Sequence, residues 1–344
     1  MSGGLVGFLK RNKIALAATS YQSGRLYMIS SNTKGGLMVN EQFFRKAMGL
    51  HVTDDSLYMV TLGHIVRLEN VLREGQWVNE QFTHCYVSRE LHLTGVIDAH
   101  DIGLTDKGEI VFVNTKYNCL ATLSKEHSFK PIWKPHFISQ IVAEDRCHLN
   151  GMAMQDGKPR YVTAVSKSDT VDGWRDRRSD GGIVMDVDAN EVICEGLSMP
   201  HSPRVYRDKV WLLNSGTGEL GWVDKESKRF QPLAFCPGFV RGLAFFDRFA
   251  VVGLSRPRYE RFEGLELDER LKQADSEPWT GIQVIDLDTG NVVQWFRIDG
   301  KVAEMYDVAV IPGVGCAKTI GFMNDEALPL ITIDDPDYEF LNQH

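Results

Sequence analysis

No C-x-x-C pair occurs in this chain. Its six cysteines, Cys85, Cys119, Cys147, Cys194, Cys236 and Cys316, are scattered over 344 residues, so neither a zinc ribbon nor a disulfide framework is expected, and each reads as a small buried hydrophobe. Positive charge is short as well. The 38 Lys and Arg against 46 Asp and Glu give a net charge of -8, and without a long basic run nucleic acid is excluded as an expected partner. No run of roughly 18 apolar residues is present to span a membrane. Met1 to Leu9 is too short and too glycine-rich for a signal peptide, so a cytoplasmic location without membrane contact is expected. The G-x-S-x-G elbow, the H-E-x-x-H helix, the P-loop and the dinucleotide fingerprint are all missing. Asn214-Ser215-Gly216-Thr217-Gly218-Glu219 has phosphate-loop composition but reads as a hairpin turn between two strands.

What is present is a repeat. Six phrases begin inner strands: Gly49-Leu50-His51-Val52, His100-Asp101-Ile102-Gly103-Leu104, His148-Leu149-Asn150-Gly151-Met152, His201-Ser202-Pro203-Arg204-Val205, Arg241-Gly242-Leu243-Ala244 and Tyr306-Asp307-Val308-Ala309-Val310. They fall 40 to 65 residues apart, about the length of a four-stranded propeller blade. Turn signals and β-rich runs follow, as in Thr105-Asp106-Lys107-Gly108 before Ile110-Val111-Phe112-Val113. The fold class expected is all-β, a six-bladed β-propeller in one domain over residues 1–344, with seven blades as the alternative. Ile14 to Ser20 and Gly24 to Ser30 match second and third strands, so residues 13–46 are expected to complete the blade begun near 305. That closure removes exposed sheet edges. Two insertions, 167–181 and 256–278, leave second strands and should project from one end of the ring. The later one is helix-like in its apolar spacing.

Inner strands line a propeller's axis. Taking Leu104, Met152, Val205 and Val310 as equivalent places His100, His148, His201 and Tyr306 on one ring. Three imidazoles meeting there would suit one divalent transition metal (Zn, Fe or Cu) and leave open positions for water or substrate. His51 is a weaker fourth ligand. The competing reading is a polar lining of a water-filled channel. Asp101 and Asp307 follow ring residues and are expected as hydrogen-bond partners rather than ligands. Arg204 and Arg241 near the axis suit a carboxylate or an oxyanion, against plain pairing with Asp or Glu. Tyr306 is a candidate acid or base. Asn150, Trp174 and Arg175 are candidate substrate contacts, the last two in an arginine-rich loop with Arg177 and Arg178.

Trp133-Lys134-Pro135-His136-Phe137-Ile138, Cys147-His148-Leu149-Asn150-Gly151-Met152-Ala153, Met199-Pro200-His201-Ser202-Pro203-Arg204 and Val240-Arg241-Gly242-Leu243-Ala244 resemble phrases of an uncharacterised bacterial β-propeller family. The resemblance implies the fold and brings no reaction. The axial set is loosely similar to that of peptidyl-hydroxyglycine amidating lyases, six-bladed propellers with a three-histidine zinc and a nearby arginine and tyrosine. That similarity implies His100, His148 and His201 as ligands with Tyr306 and Arg241 or Arg204 assisting. Gluconolactonase-like propellers hold calcium with carboxylates and asparagine; Asn150-Gly151 is similar, but no matching carboxylates fall on the ring. The expected function is a metal-dependent lyase, hydrolase or oxygenase acting on a small molecule or peptide. The alternative is a non-enzymatic propeller that binds a peptide or protein partner.

Overall fold

Strand after strand in this chain is a run of β-branched and apolar residues, such as Ile110–Asn114 and Phe249–Ser255, entered from a left-handed turn residue, here Gly108 and Asp247. In the computed structural model, which describes residues 1–257, 259 and 261–335, these runs pair as six antiparallel blades of a β-propeller. From inside outward, blade 1 is Leu50–Val52, Ser56–Val60, His64–Asn70 and His84–Leu93. Blade 2 is Ala99–Leu104, Ile110–Asn114, Cys119–Thr122 and Lys130–Trp133. Blade 3 is Leu149–Gln155, Lys158–Ala164, Gly182–Asp186 and Glu191–Leu197. Blade 4 is Pro200–Tyr206, Lys209–Asn214, Glu219–Asp224 and Arg229–Phe235, and blade 5 is Phe239–Phe246, Phe249–Ser255, Gly281–Asp286 and Val292–Arg297.

Blade 6 joins the two ends of the chain. Its inner strand Val308–Pro312 pairs antiparallel with Ile14–Ser20, in the register Leu16 opposite Val310, and Arg25–Ser31 and Leu37–Phe43 complete it. A second latch was not anticipated. Ala317–Ile320 crosses to blade 1 and adds a fifth strand, parallel to the start of His84–Leu93.

The apolar cores lie between blades rather than at the centre. Leu26 and Met28 of blade 6 meet Leu57 and Met59 of blade 1, and Val162 and Met185 of blade 3 meet Val111 and Val113 of blade 2. The N-terminal helix Leu5–Asn12 seals the junction of blades 5 and 6 with Leu5, Phe8 and Leu9. Because each sheet buries both faces against its neighbours, the axis is left to polar side chains.

Both insertions pack at one end of the ring, where Trp174 meets Phe262, Leu267 and Leu271 in one apolar cluster with Val165, Met199 and Phe239. The later insertion carries the helix Leu267–Gln273; its residues 258 and 260 lie outside the described residues, as does the segment 336–344. All six cysteines are buried and unpaired. Among the described residues no helix is long and apolar enough to cross a membrane.

Candidate functional site

Strand register decides which side chains reach the axis. Ala99 lies opposite Asn114, Leu149 opposite Ala164, Pro200 opposite Asn214 and Val240 opposite Leu254, each at the end of a second strand or one residue short of it. The next residue in each blade is therefore the ring residue: His100, Asn150, His201 and Arg241, joined by Tyr306 from blade 6. Hydroxyls repeat the equivalence. Thr115 donates to Leu149 O at 2.6 Å, Ser215 to Val240 O at 2.6 Å, Ser255 to Met305 O at 3.1 Å and Thr19 to Met48 O at 2.7 Å, each clasping the carbonyl just before a ring position. Blade 1 places Gly49 on the ring, where an added Cβ would lie 2.7 Å from His100 O. The backbone of blade 2 takes the space of a side chain there.

This register moves one expected ring member by two residues. His148 precedes the ring; its φ of 51° matches those of Asp98 (53°) and Met199 (50°), the left-handed turn residues that enter blades 2 and 4. Asn150 holds the slot assigned to His148 from the sequence. His51 lies two residues beyond Gly49, against Tyr58, and burial with the Arg204 charge lowers its pKa. Among the described residues no three His, Cys, Asp or Glu side chains gather into a set able to hold an ion.

The ring is nonetheless continuous. His148 and His100 meet edge to face at 5.1 Å between centroids, His100 and Tyr306 at 5.7 Å, and Arg241 lies over Tyr306 at 5.7 Å and over Phe239 at 4.7 Å. Phe239 meets His201 at 5.6 Å, and Asn150 Nδ2 comes within 3.4 Å of His201 Nε2. Trp174 roofs His148, stacked at 4.2 Å, and its indole N–H donates to Asp145 Oδ2 at 3.1 Å. The same oxygen takes His148 Nδ1 at 2.9 Å, so Asp145 fixes the imidazole and its roof together. Trp174 is thus buried, whereas Arg175, Arg177 and Arg178 are exposed, Arg175 lying over the indole and pairing with Asp172.

Inner strands bulge at or immediately after the ring position in blades 2 to 5. A bulge re-aims the next side chain. Asp101 accepts from Met152 N at 3.0 Å in blade 3, Ser202 from Gly242 N at 3.0 Å in blade 5, and, in blade 6, Asp307 accepts from Leu50 N at 2.8 Å in blade 1. These side chains tie blades together, as partners rather than ligands. Arg204 sits between the two carboxylates, 2.8 Å from Asp101 and 3.7 Å from Asp307. Burial opposes its charge, but the two carboxylates outweigh burial and raise its pKa. Both ends of the guanidinium are engaged, so pairing describes Arg204 better than catalysis. Arg241 pairs with Glu304 at 3.2 Å yet leaves its Nε without a partner, as is the buried Tyr306 hydroxyl. Glu304, Thr115 and Ser215 escaped the sequence reading because each lies 14 to 63 residues from the side chain it serves, whereas Asp145, three residues before His148, was passed over because it sits in the turn ahead of the strand.

Burial lowers the His100 pKa to about 4 and that of His201 well below its usual 6.5. Burial pushes the Tyr306 phenol well above its ordinary value, so its hydroxyl stays protonated at neutral pH. Since His100 takes up a proton near pH 6.5 when unfolded but only near 4 when folded, its contribution to stability is complete above pH 6.5 and is lost as pH falls toward 4. Urea midpoints measured at about pH 7 and about pH 4.5 should therefore drop more for the wild type than for His100→Asn. Equal drops in the two proteins would contradict a buried, neutral His100.

Comparison with known proteins bears on the fold. A chain of a nidogen/laminin complex is 10% identical, covers 87% of this chain and 99% of its own, and superposes with a TM-score of 0.56. A streptogramin B lyase structure is 10% identical over 88% of this chain and 87% of its own, with a TM-score of 0.45. Virginiamycin B lyase from Staphylococcus aureus, in a catalytically inactive form with quinupristin, is 10% identical over 83% and 81%, with a TM-score of 0.44. At these identities the likeness concerns the propeller alone. No curated protein matches the chain. The profile of one family matches residues 3–320, and the chain therefore belongs to that family, described as a domain of unknown function (DUF4915).

Proposed function

We propose that the axial mouth is the active site of an enzyme that acts on a small molecule or peptide by general acid–base chemistry, of the lyase or hydrolase type. The observation that carries this reading is the Asp145–His148 pair at 2.9 Å, set beside His100 and, through it, beside the unpartnered Tyr306 hydroxyl and Arg241 Nε. A carboxylate oriented on Nδ1 leaves Nε2 as the atom that takes a proton, and the imidazolium that forms is paired with Asp145. Negative charge developing on a substrate oxygen would be met by Tyr306 Oη and Arg241 Nε, buried donor atoms that have no partner. Asp145 and His148 both hold left-handed φ, 41° and 51°, a strain often kept at functional sites.

The test is turnover of a panel of small amides, esters and hydroxy-carbonyl compounds followed by mass spectrometry. Replacing His148 by Gln should lower the rate on any accepted compound by roughly 10²–10⁴-fold with the fold intact. Turnover that survives in His148→Gln would overturn the assignment of the base.

A transition metal is a second reading of the same ring. Its support is that His100, His148 and His201 each use Nδ1 on a carbonyl or carboxylate, the arrangement of metal-ligating imidazoles. As placed, blade 3 gives Asn150 rather than His148 to the ring, so the three do not fit one ion and no step is routed through it. Elemental analysis of untagged protein tests it: about one Zn, Fe or Cu per chain, lost in both His100→Ala and His201→Ala, would replace the acid–base reading. The partner-binding alternative rests on the exposed Arg175, Arg177 and Arg178, since Trp174 is covered.

A further inference from the structure

The hydrogen bonds at the ring fix the direction of each polar group. His100 Nδ1 lies 2.7 Å from Asp98 O and 2.7 Å from Thr115 Oγ1. A carbonyl only accepts, and Thr115 already gives its proton to Leu149 O, so the proton on this imidazole is at Nδ1 and Nε2 presents a lone pair. Blade 4 repeats the arrangement. His201 Nδ1 lies 2.8 Å from Met199 O and 3.1 Å from Ser215 Oγ, which donates to Val240 O. Asn150 fits this polarity: Thr163 donates to its Oδ1 at 2.8 Å, which turns the amide N–H of Asn150 toward the lone pair of His201. Two left-handed turn residues, Asp98 and Met199, aim the carbonyls that enforce both tautomers.

What remains unmatched is informative. His201 is answered by Asn150, whereas His100 Nε2 has no partner among the described residues. Two buried donors without partners lie along the same ring, Tyr306 Oη, on a phenol whose ring meets His100 at 5.7 Å, and Arg241 Nε, on a guanidinium 5.7 Å from the Tyr306 ring. Two charges at the mouth are already paired in place, Arg241 with Glu304 at 3.2 Å and Asp98 with Lys46 at 3.7 Å, and the Asp145 carboxylate is held by the N–H groups of Trp174 and His148. A carboxylate ligand would satisfy the donors but turn its second oxygen onto the lone pair of His100. An ammonium ligand would satisfy His100 but leave Tyr306 and Arg241 unmet and sit beside the Arg241 charge. An uncharged group with an acceptor and a donor on the same carbon satisfies both sides.

We propose that the axial mouth recognises an uncharged amide, its carbonyl oxygen accepting from Tyr306 and Arg241 and its N–H donating to His100 Nε2. This deepens the axial-site reading by naming what the site accepts, and it stands or falls separately from the assignment of His148 as base. The experiment uses the full chain labelled with ¹⁵N-histidine, with His100→Gln and His201→Gln to assign the rings. Long-range proton–nitrogen spectra at neutral pH should show both rings protonated at Nδ1. N-acetylglycinamide should then move the His100 Nε2 signal in a saturable way, whereas acetate and methylammonium should not. Tyr306→Phe should weaken the amide roughly tenfold without altering either tautomer. An Nε2-protonated His100, or acetate binding more tightly than the amide, would overturn the proposal. Amide binding without turnover would leave it standing while removing the catalytic reading.

Discussion

Arg204→Leu is expected to destabilise the protein by about 3–5 kcal/mol, the usual consequence of stripping one partner from a buried ion pair. Arg204 belongs to blade 4 and holds Asp101 of blade 2 at 2.8 Å and Asp307 of blade 6 at 3.7 Å, so one guanidinium links alternate blades across the axis. It also donates to Met152 O at 3.1 Å in blade 3. Each carboxylate additionally takes backbone N–H groups, Ile102 and Met152 on Asp101 and Leu50 and Val308 on Asp307. Without the arginine, two buried carboxylates face each other with no counter-charge. Burial already drives Asp307 up to about 7 against the pull of Arg204. Adding Asp307→Asn to Arg204→Leu should recover part of the loss, because one of the two repelling charges is gone while the amide oxygen still accepts. Urea unfolding of the three proteins measures both effects. A loss below about 1 kcal/mol for Arg204→Leu, the range of an exposed ion pair, would show that the link carries no weight.

Gly242→Ala is expected to cost roughly 2–5 kcal/mol, from two separable sources. The residue has φ of 79° at the bulge of blade 5, where a Cβ is disfavoured by about 1–2 kcal/mol. The same Cβ would lie 2.6 Å from Val308 N and 2.7 Å from Asp307 C, backbone atoms of blade 6 that cannot turn aside. Overpacking of that kind adds about 1–3 kcal/mol. Gly196 provides the control, since its φ is also 79° but nothing lies within 4 Å of its Cβ position. Gly196→Ala should show the backbone term alone. If both substitutions shift the unfolding midpoint equally, the close approach of blades 5 and 6 has no energetic role. Because Gly242 follows Arg241, the larger shift should also disturb the Arg241–Glu304 pair.

The repeat, the blade count and the closure of the ring by the N-terminal segment were legible because they rest on local signals. A strand's two-residue period and the turn residues that end it are written within about ten positions. The same signals misplaced one site residue. Cys147-His148-Leu149-Asn150 looks like a ring histidine at the head of a strand, and only the pairing of Leu149 with Ala164 shows that His148 is the turn residue and Asn150 faces the axis. The bulges were invisible for a related reason, since an extra residue in a strand leaves no mark on composition. Trp174 was read as an accessible ligand contact from its arginine-rich setting, yet its neighbours Phe262, Leu267 and Leu271 come from the other insertion.

By itself the sequence determined a closed ring of six blades with a polar axis, because each blade encodes its own hairpins and the buried faces leave nowhere else for the polar ring positions. Only the tertiary structure decided what those positions do. Arg204 and Asp101 are hydrogen-bonded although 103 residues apart, and Asp307 meets Leu50 across the closure. Partners that distant are set by the rotation of one blade onto the next and by inter-strand register, quantities that depend on packing of whole sheets rather than on any local run of residues.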